Sequence, residues 1–276
     1  MILTPLGCLA GMPAGGLASS GYLVGAGDQR ILLDAGPGTA VGLGPLLDTR
    51  LTGVVISHEH TDHIWDLLVH GKILLGERLT RHTESRDVAI DESIPPVPLY
   101  VPEGAAARLQ QLARLYPVAT YPLLDRAFGL GFDVREYQPG QTVRLGEVTL
   151  RFELLRHVAP NCGVRVEYAD RSLVYTGDTG VTDALPALAS KAGMLLAEST
   201  LRETDATGHG HLSSQDAGRA AQDADVAELV LTHFSSPERA EHEWHRKRAS
   251  GEFHGHVHAA QPRTALTVPA TRKATL

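Results

Sequence analysis

The sequence predicts an α/β protein built as an αββα four-layer sandwich, in which two sheets pack face to face with helices outside. The order of the elements leads to this fold class, and the composition bears on the number of domains. In each half of the chain, paired apolar runs that form hairpins come first, and alternating strands and helices follow. The 276 residues are 43% hydrophobic and 21% charged, and no shift in composition divides them. We therefore expect a single domain over residues 1–276.

The first half of the chain predicts one sheet and its helices. Residues 17–24 and 29–33 are apolar runs separated by Gly-Ala-Gly-Asp, the pattern of a hairpin. The β-branched run 52–57 indicates a buried strand, and the apolar segment 64–75 indicates a buried helix. We interpret the polar, proline-containing segment 76–98 as a surface loop. Two further elements complete this half, a strand over residues 99–101 and a helix over residues 104–116.

The second half repeats the pattern. Residues 142–145 and 148–155 predict a hairpin around Gly-Glu, and residues 163–168 and 172–176 predict a second strand pair. Alternating elements follow: helices over residues 183–191 and 213–224, and strands over residues 194–197 and 229–232.

Composition and charge exclude several classes of protein. The chain has 25 Lys and Arg against 32 Asp and Glu, a net charge of −7, which argues against broad nucleic-acid binding. We find no apolar run long enough for a membrane helix, and we expect no leader peptide, since the first residues are not basic and Pro5 interrupts them. The two cysteines cannot form a disulfide framework. We expect a cytoplasmic protein without membrane contact. The 14 histidines stand out, since imidazole is the commonest metal ligand among side chains.

A cluster of metal-binding residue types follows the predicted strand 52–57. His58, His60, Asp62 and His63 lie within six residues, where a turn can direct several side chains at one point. Imidazole and carboxylate together suit borderline-hard cations such as Zn²⁺. The alternative is a polar loop that happens to be rich in histidine, and the interleaving directly after a buried strand argues against it.

This motif resembles that of the metallo-β-lactamase fold superfamily, and the resemblance extends over nearly the whole chain. Residues 33–39 are similar to the Asp-Gly turn that forms the first motif of the family. His157, Asp178 and His233 match the single ligands of its third, fourth and fifth motifs. Each match follows a predicted strand, where ligands must lie to converge at one sheet edge. The resemblance therefore implies the αββα sandwich and a metal centre.

The resemblance also implies two Zn²⁺ ions per chain, although Mn²⁺ and Fe²⁺ accept the same ligands. The seven implied ligands divide into His58, His60 and His157 for one ion, Asp62, His63 and His233 for the other, and Asp178 as the bridge. Two ions about 3.5–4 Å apart can share a hydroxide nucleophile near neutral pH. Asp62 could also take the proton of this nucleophile or orient it.

A second motif indicates a branch of the family. Residues 197–200 (Ala-Glu-Ser-Thr) and 208–214 resemble the ribonuclease Z and phosphodiesterase branch, in which a Glu–His pair serves the leaving group. The branch has a histidine where this chain has Ala197, a departure at a position that is not a ligand. The resemblance implies that Glu198 hydrogen-bonds His211, raises its pKa and keeps it protonated as the general acid.

Two other interpretations of this segment stay open. His209 is a rival for the same role, and His211 can also be a residue that only precedes the helix N-cap at Ser213 or Ser214. We favour His211, because the Ser/Thr position that follows it matches the branch.

The spacing of the motifs bears on the substrate. Ribonuclease Z proper carries a long arm that grips transfer RNA, commonly between its third and fourth motifs. Only 20 residues separate His157 from Asp178, and the predicted strands use most of them. We therefore expect a small-molecule substrate rather than transfer RNA. Dimers are common in this branch, so the resemblance allows a homodimer.

Three functions remain in competition. The first is a binuclear phosphodiesterase that acts on a small or cyclic phosphodiester or a short RNA, with metal-bound hydroxide as the nucleophile. The second is an esterase, lactonase or β-lactam hydrolase on the same two metals, because polarised carbonyls react equally well there. The third is an iron-dependent redox enzyme on this fold. The Glu198–His211 pair favours the first, and the full set of seven ligands argues against the third.

Overall fold

The two central layers of the molecule are β-sheets. The computed structural model describes residues 1–44, 50–81 and 88–273. The first half contributes β1 (Ile2–Gly7), β2 (Gly21–Ala26), β3 (Gln29–Leu33), β4 (Gly53–Val55), β5 (Leu79–Arg81), β6 (Val88–Ile90), β7 (Val97–Pro102) and β8 (Phe132–Tyr137). The second half contributes β9 (Thr142–Leu145), β10 (Val148–Leu155), β11 (Asn161–Tyr168), β12 (Arg171–Tyr175), β13 (Met194–Glu198), β14 (Glu228–Thr232), β15 (His256–Ala259) and β16 (Leu266–Thr267).

Both sheets have seven strands and the same internal plan. The first has the order β16-β1-β2-β3-β4-β7-β8, and the second has the order β15-β14-β13-β12-β11-β10-β9. The first is antiparallel from β16 to β3 and parallel from β3 to β8. The second is antiparallel from β9 to β12 and parallel from β12 to β15. Hairpins followed by parallel strands are what the sequence predicted.

The helices cover the outer faces of the sheets. They are α1 (Thr39–Leu43), α2 (Thr61–Ile64), α3 (Leu67–Glu77), α4 (Ala105–Leu115), α5 (Ala184–Ala189), α6 (Ser214–Asp223) and α7 (Arg239–Ala249). Successive side chains of β2 point to opposite faces of the sheet and enter two different hydrophobic cores. Val24 lies in the core between the sheets, whereas Leu23 lies in a second core with Leu67 and Leu74 of α3. The first sheet is thus buried on both faces, which confirms the αββα sandwich.

The prediction for segment 76–98 was wrong at several points. Helix α3 continues to Glu77, the hairpin β5–β6 occupies part of the segment, and β7 begins at Val97. Three-residue strands are too short for a period of two to be recognised among polar residues. Residues 82–87 lie outside the described residues.

Two other expectations bear on the whole chain. Among the described residues, no helix is long and apolar enough to cross a membrane. That residues 1–276 form one domain stays a prediction.

Candidate metal centre

The seven candidate ligands follow four strands that end at one rim. His58 and His60 come after β4, and Asp62 and His63 lie in α2 directly behind them. His157, Asp178 and His233 come after β10, β12 and β14. These three strands run in the same direction in the second sheet, so their carboxyl ends lie at one edge. The structure brings all seven side chains together.

The ligand atoms form two groups that share Asp178. In the outer group, His58, His60, His157 and Asp178 each place one ligand atom within 4.8 Å of the others. In the inner group, Asp62, His63, Asp178 and His233 do the same. This division coincides with the one that the family resemblance implies. The role of each residue as a ligand stays a prediction.

The distances between the ring nitrogens of neighbouring histidines show whether these residues fit metal ions. His60 Nδ1 lies 3.2 Å from His157 Nε2, and His63 Nε2 lies 3.3 Å from His233 Nε2. Two ligand atoms about 2.0–2.1 Å from one tetrahedral ion lie roughly 3.3 Å apart, so the spacing is that of atoms with a shared cation. His58 Nε2 and Asp178 Oδ1 are buried and lack a hydrogen-bond partner among the described residues. The cluster is able to bind metal ions.

Asp34 orients the inner histidine from behind. His63 Nδ1 donates a hydrogen bond to Asp34 Oδ2 at 2.7 Å, which leaves Nε2 free to face the centre. The same carboxylate accepts the backbone N–H and hydroxyl of Ser57 and the hydroxyl of Tyr175. Asp34 is fully buried and adopts a left-handed φ of 57°, so the turn after β3 is held in one conformation.

Contacts that the sequence analysis did not find orient three other ligands. His157 Nδ1 donates to the carbonyl of Gly210 at 2.9 Å. Gly11 N–H donates to Asp62 Oδ2 at 2.7 Å, and Thr200 Oγ1 lies 2.8 Å from His233 Nδ1. The first and last of these partners stand in the segments that carry the Glu–His motif, which was the available signal. Gly11 lies in a glycine-rich N-terminal loop that gave no specific indication.

Burial favours the neutral form of two outer histidines, His58 and His60. Desolvation lowers the pKa of His58 well below its ordinary value, and it also lowers the pKa of His60. Neutral imidazole is the form that binds a cation, so no proton has to be displaced from these rings near neutral pH.

The Glu–His pair lies at the rim of the cluster. His211 Nδ1 donates to Glu198 Oε1 at 2.9 Å, and Glu198 is fully buried. Burial opposes the charged form of His211, but the hydrogen bond and the negative charge of Glu198 outweigh it and raise the pKa to about 9. The His211 ring lies 5.1 Å from that of His157 and 5.9 Å from that of His233.

The two open interpretations of this segment now separate. Ser213 does cap α6, in a capping box with Asp216, so His211 does precede an N-cap. The contact with Glu198 is nevertheless made by the side chain of His211, while His209 is exposed and contributes its carbonyl to Val158 N–H. That His211 and Asp62 act in catalysis stays a prediction.

Comparison with known proteins agrees with this arrangement. The family model for a β-lactamase superfamily domain matches residues 29–234. The chain belongs to the β-lactamase superfamily. The probable metallo-hydrolase YhfI of Bacillus subtilis (strain 168) is 30% identical and covers 95% of this chain and 97% of its own length. A ribonuclease Z of Mycobacterium sp. (strain KMS) is also 30% identical, over 91% of this chain and 90% of that protein.

A solved structure supports the same assignment. The crystal structure of the metallo-β-lactamase fold protein YhfI from Bacillus subtilis matches with a TM-score of 0.77 at 26% identity, over 96% of this chain and 99% of that one. Membership of the superfamily and the resemblance to its ribonuclease Z branch are therefore confirmed.

A cavity opens beside the Glu198–His211 pair. It has a volume of about 500 Å³ and is lined by residues 201–207 together with His209 and His211. Arg156 and Asp205 fix the loop behind it, because Asp205 accepts hydrogen bonds from Arg156, Thr207 and the Gly210 N–H. His211 thus stands between the metal centre and a space large enough for part of a substrate.

Proposed function

We propose that the protein is a binuclear metal-dependent phosphodiesterase that hydrolyses a small or cyclic phosphodiester or a short RNA. The outer group would hold one ion, the inner group the second, and Asp178 would lie between them. Zn²⁺ is the ion that best suits five imidazoles and two carboxylates at tetrahedral spacing. When bound, such a pair of ions lowers the pKa of a water and offsets charge on the phosphoryl oxygens.

The residues of the chain supply the proton transfers. Asp62 accepts a proton from the attacking water, and its Oδ2 is held for this by Gly11 N–H at 2.7 Å. His211 donates a proton to the departing oxygen from Nε2, because its Nδ1–H is fixed by Glu198. The leaving group then lies in the cavity lined by residues 201–207.

The observation that carries the proposal is the Glu198–His211 pair at the rim of the cluster. An alkoxide that departs from phosphorus needs a proton, and a protonated imidazole beside both ligand groups can provide it. The 30% identity to a ribonuclease Z supports phosphorus as the reacting centre.

The short chain segment between His157 and Asp178 favours a small substrate. Strands β11 and β12 occupy residues 161–168 and 171–175, which leaves no room for a long arm between His157 and Asp178. A small-molecule partner is therefore proposed in preference to transfer RNA, and the homodimer stays a prediction.

The test is a hydrolysis screen on protein whose metal content has been measured. We expect two divalent ions per chain and turnover of bis(4-nitrophenyl) phosphate and of cyclic or linear dinucleotide phosphodiesters. Turnover of lactones or nitrocefin without turnover of phosphodiesters would replace the proposal by the ester or β-lactam alternative. One iron per chain, with no hydrolysis of either class, would point to the redox alternative.

A further inference from the structure

We propose that Thr200 is a positioning residue whose hydroxyl links the Glu198–His211 pair to His233 and holds the His233 proton on Nδ1. The inference rests on the proposed role of His233 as a metal ligand. Its consequence is that the general acid and the inner group form one hydrogen-bonded unit. Thr200 lies two residues beyond the end of β13, and it is not among the residues that line the cavity next to His211.

The Thr200 hydroxyl has three close neighbours and one hydrogen. Oγ1 lies 2.7 Å from Glu198 Oε2, 2.8 Å from His233 Nδ1 and 3.1 Å from the His233 carbonyl. The buried carboxylate is the nearest acceptor and carries charge, so it takes the hydroxyl hydrogen. The Thr200 oxygen can then serve His233 only as an acceptor, which requires a proton on His233 Nδ1.

The other face of the His233 ring agrees with this assignment. Nε2 lies 3.2 Å from Asp62 Oδ2 and 3.3 Å from both Asp178 Oδ1 and His63 Nε2. A ring with its proton on Nδ1 directs an unshared electron pair into the space between these atoms, where a cation would lie. The opposite tautomer would need the single Thr200 hydrogen at Nδ1, in competition with Glu198.

Thr200 differs from the groups that orient the other ligands. Asp34 and the Gly210 carbonyl, which hold His63 and His157, are acceptors only. The hydroxyl of Thr200 accepts from His233 and at the same time donates to Glu198 Oε2. The opposite oxygen, Oε1, accepts His211 Nδ1–H. Loss of this one hydroxyl therefore releases a ligand and one anchor of the acid pair together.

The experiment uses the full chain and three variants. Thr200→Val keeps the branched shape without the hydroxyl, and Thr200→Ser keeps the hydroxyl. Ser199→Ala removes a neighbouring buried hydroxyl that donates a hydrogen bond to the Thr232 carbonyl. Long-range ¹H–¹⁵N spectra of the Zn²⁺-loaded chain report which nitrogen of His233 carries the proton and how fast that proton exchanges. Titration with Zn²⁺ or Co²⁺ reports the affinity for each of the two ions.

We expect a hydrogen-bonded, slowly exchanging proton on Nδ1 of His233 in the loaded wild-type chain and a rapidly exchanging one in Thr200→Val. Affinity for one of the two ions falls by about 10- to 100-fold in Thr200→Val, the usual effect of losing an outer partner, whereas Thr200→Ser and Ser199→Ala stay close to wild type.

Three results would overturn the inference: a proton on Nε2 of wild-type His233, unchanged affinity in Thr200→Val, or equal losses in Thr200→Val and Thr200→Ser. The wild-type tautomer decides the matter even where Thr200→Val does not fold. A wild-type chain that binds fewer than two ions would instead defeat the proposed function, so the two failures are distinguishable.

Discussion

The inner and outer ligand groups share one carboxylate but differ in burial. All four inner residues are buried, whereas His60 and His157 of the outer group are partly exposed. Burial keeps water from competing for the ligand atoms and strengthens each electrostatic contact. The ligand set therefore has one enclosed half and one half that is partly open to solvent.

The two groups also differ in how the protein braces them. A carboxylate, a backbone amide and a hydroxyl orient the inner group, from Asp34, Gly11 and Thr200. The outer group has the Gly210 carbonyl behind His157 and the Ser57 hydroxyl 3.1 Å from His58 Nδ1. Since outer partners typically change affinity by about 10- to 100-fold, we expect the inner ion to be held more tightly and to be removed last by a chelator.

The largest effect should come from the residue that both groups share. Asp178 Oδ1 lies 3.3 Å from Nε2 of His63 and of His233, and Oδ2 lies 3.6 Å from His58 Nε2. Asp178→Asn keeps the size but removes the charge between the two cations. We expect loss of affinity for both ions and a fall in turnover of roughly 10³-fold, the upper range for one electrostatic group.

Metal analysis and kinetics check this prediction, with Asp170→Asn as the control because the Asp170 side chain is 75% exposed. Retention of one tightly bound ion in Asp178→Asn would show that the carboxylate belongs to one group only.

Changes in the Glu198–His211 pair should affect turnover without affecting metal binding by either ligand group. His211→Gln removes the proton donor but none of the seven candidate ligands, so two ions should still bind. Turnover of a phosphodiester with an alkoxide leaving group should fall by about 10²- to 10⁴-fold, while that of a nitrophenyl ester changes little. The measurement is kcat for both substrates, with the exposed His254 changed in His254→Gln as the histidine control. Equal losses for the two substrates would remove His211 from the role of general acid.

A brace of the inner group should have a smaller and more local effect. Asp34→Asn retains one acceptor oxygen but cannot serve all four donor groups that now reach the carboxylate. We expect affinity for one ion to fall by about 10- to 100-fold, with the other ion less affected. Asp66→Asn is the control, because Asp66 accepts the Gly38 and Ala40 amides of α1 without touching a candidate ligand. If both ions weaken equally in Asp34→Asn, the two groups do not behave as separate units.

Some ligands form a local sequence pattern, whereas the contacts that orient the ligands do not, and this difference explains what the sequence could predict. His58, His60, Asp62 and His63 form a local pattern directly after an apolar strand, and such spacing is legible in one sequence. The three distant ligands were found only through the family resemblance. Contacts such as Gly11 to Asp62 and Thr200 to His233 span 51 and 33 residues, and common residue types make them, so no local pattern marks them.

The fold follows the same logic. The order of hairpins, strands and helices predicted four layers, because the longer elements show their apolar period. The hairpin β5–β6 was missed since each strand has three residues. Pairing between β4 and β7, which encloses that segment, is a tertiary property that its sequence does not express.

The last predicted effect concerns stability rather than metal binding, and it involves a histidine that is buried outside both groups. His70 of α3 is 3% exposed, and its Nε2 lies 3.5 Å from the hydroxyl of Thr39. Burial lowers the pKa of His70 from 6.5 to about 4. The unfolded chain therefore binds a proton that the folded chain does not between these two values, and the free energy of unfolding falls as the pH falls from 6.5 to 4, by at most about 3 kcal/mol.

Urea unfolding of wild-type protein and of His70→Leu at pH 7 and pH 4.5 isolates this contribution, because the other titrating groups are common to both chains. Wild-type protein should lose more stability over this interval than His70→Leu. An equal loss in the two chains would mean that burial does not lower the pKa of His70 in the folded protein.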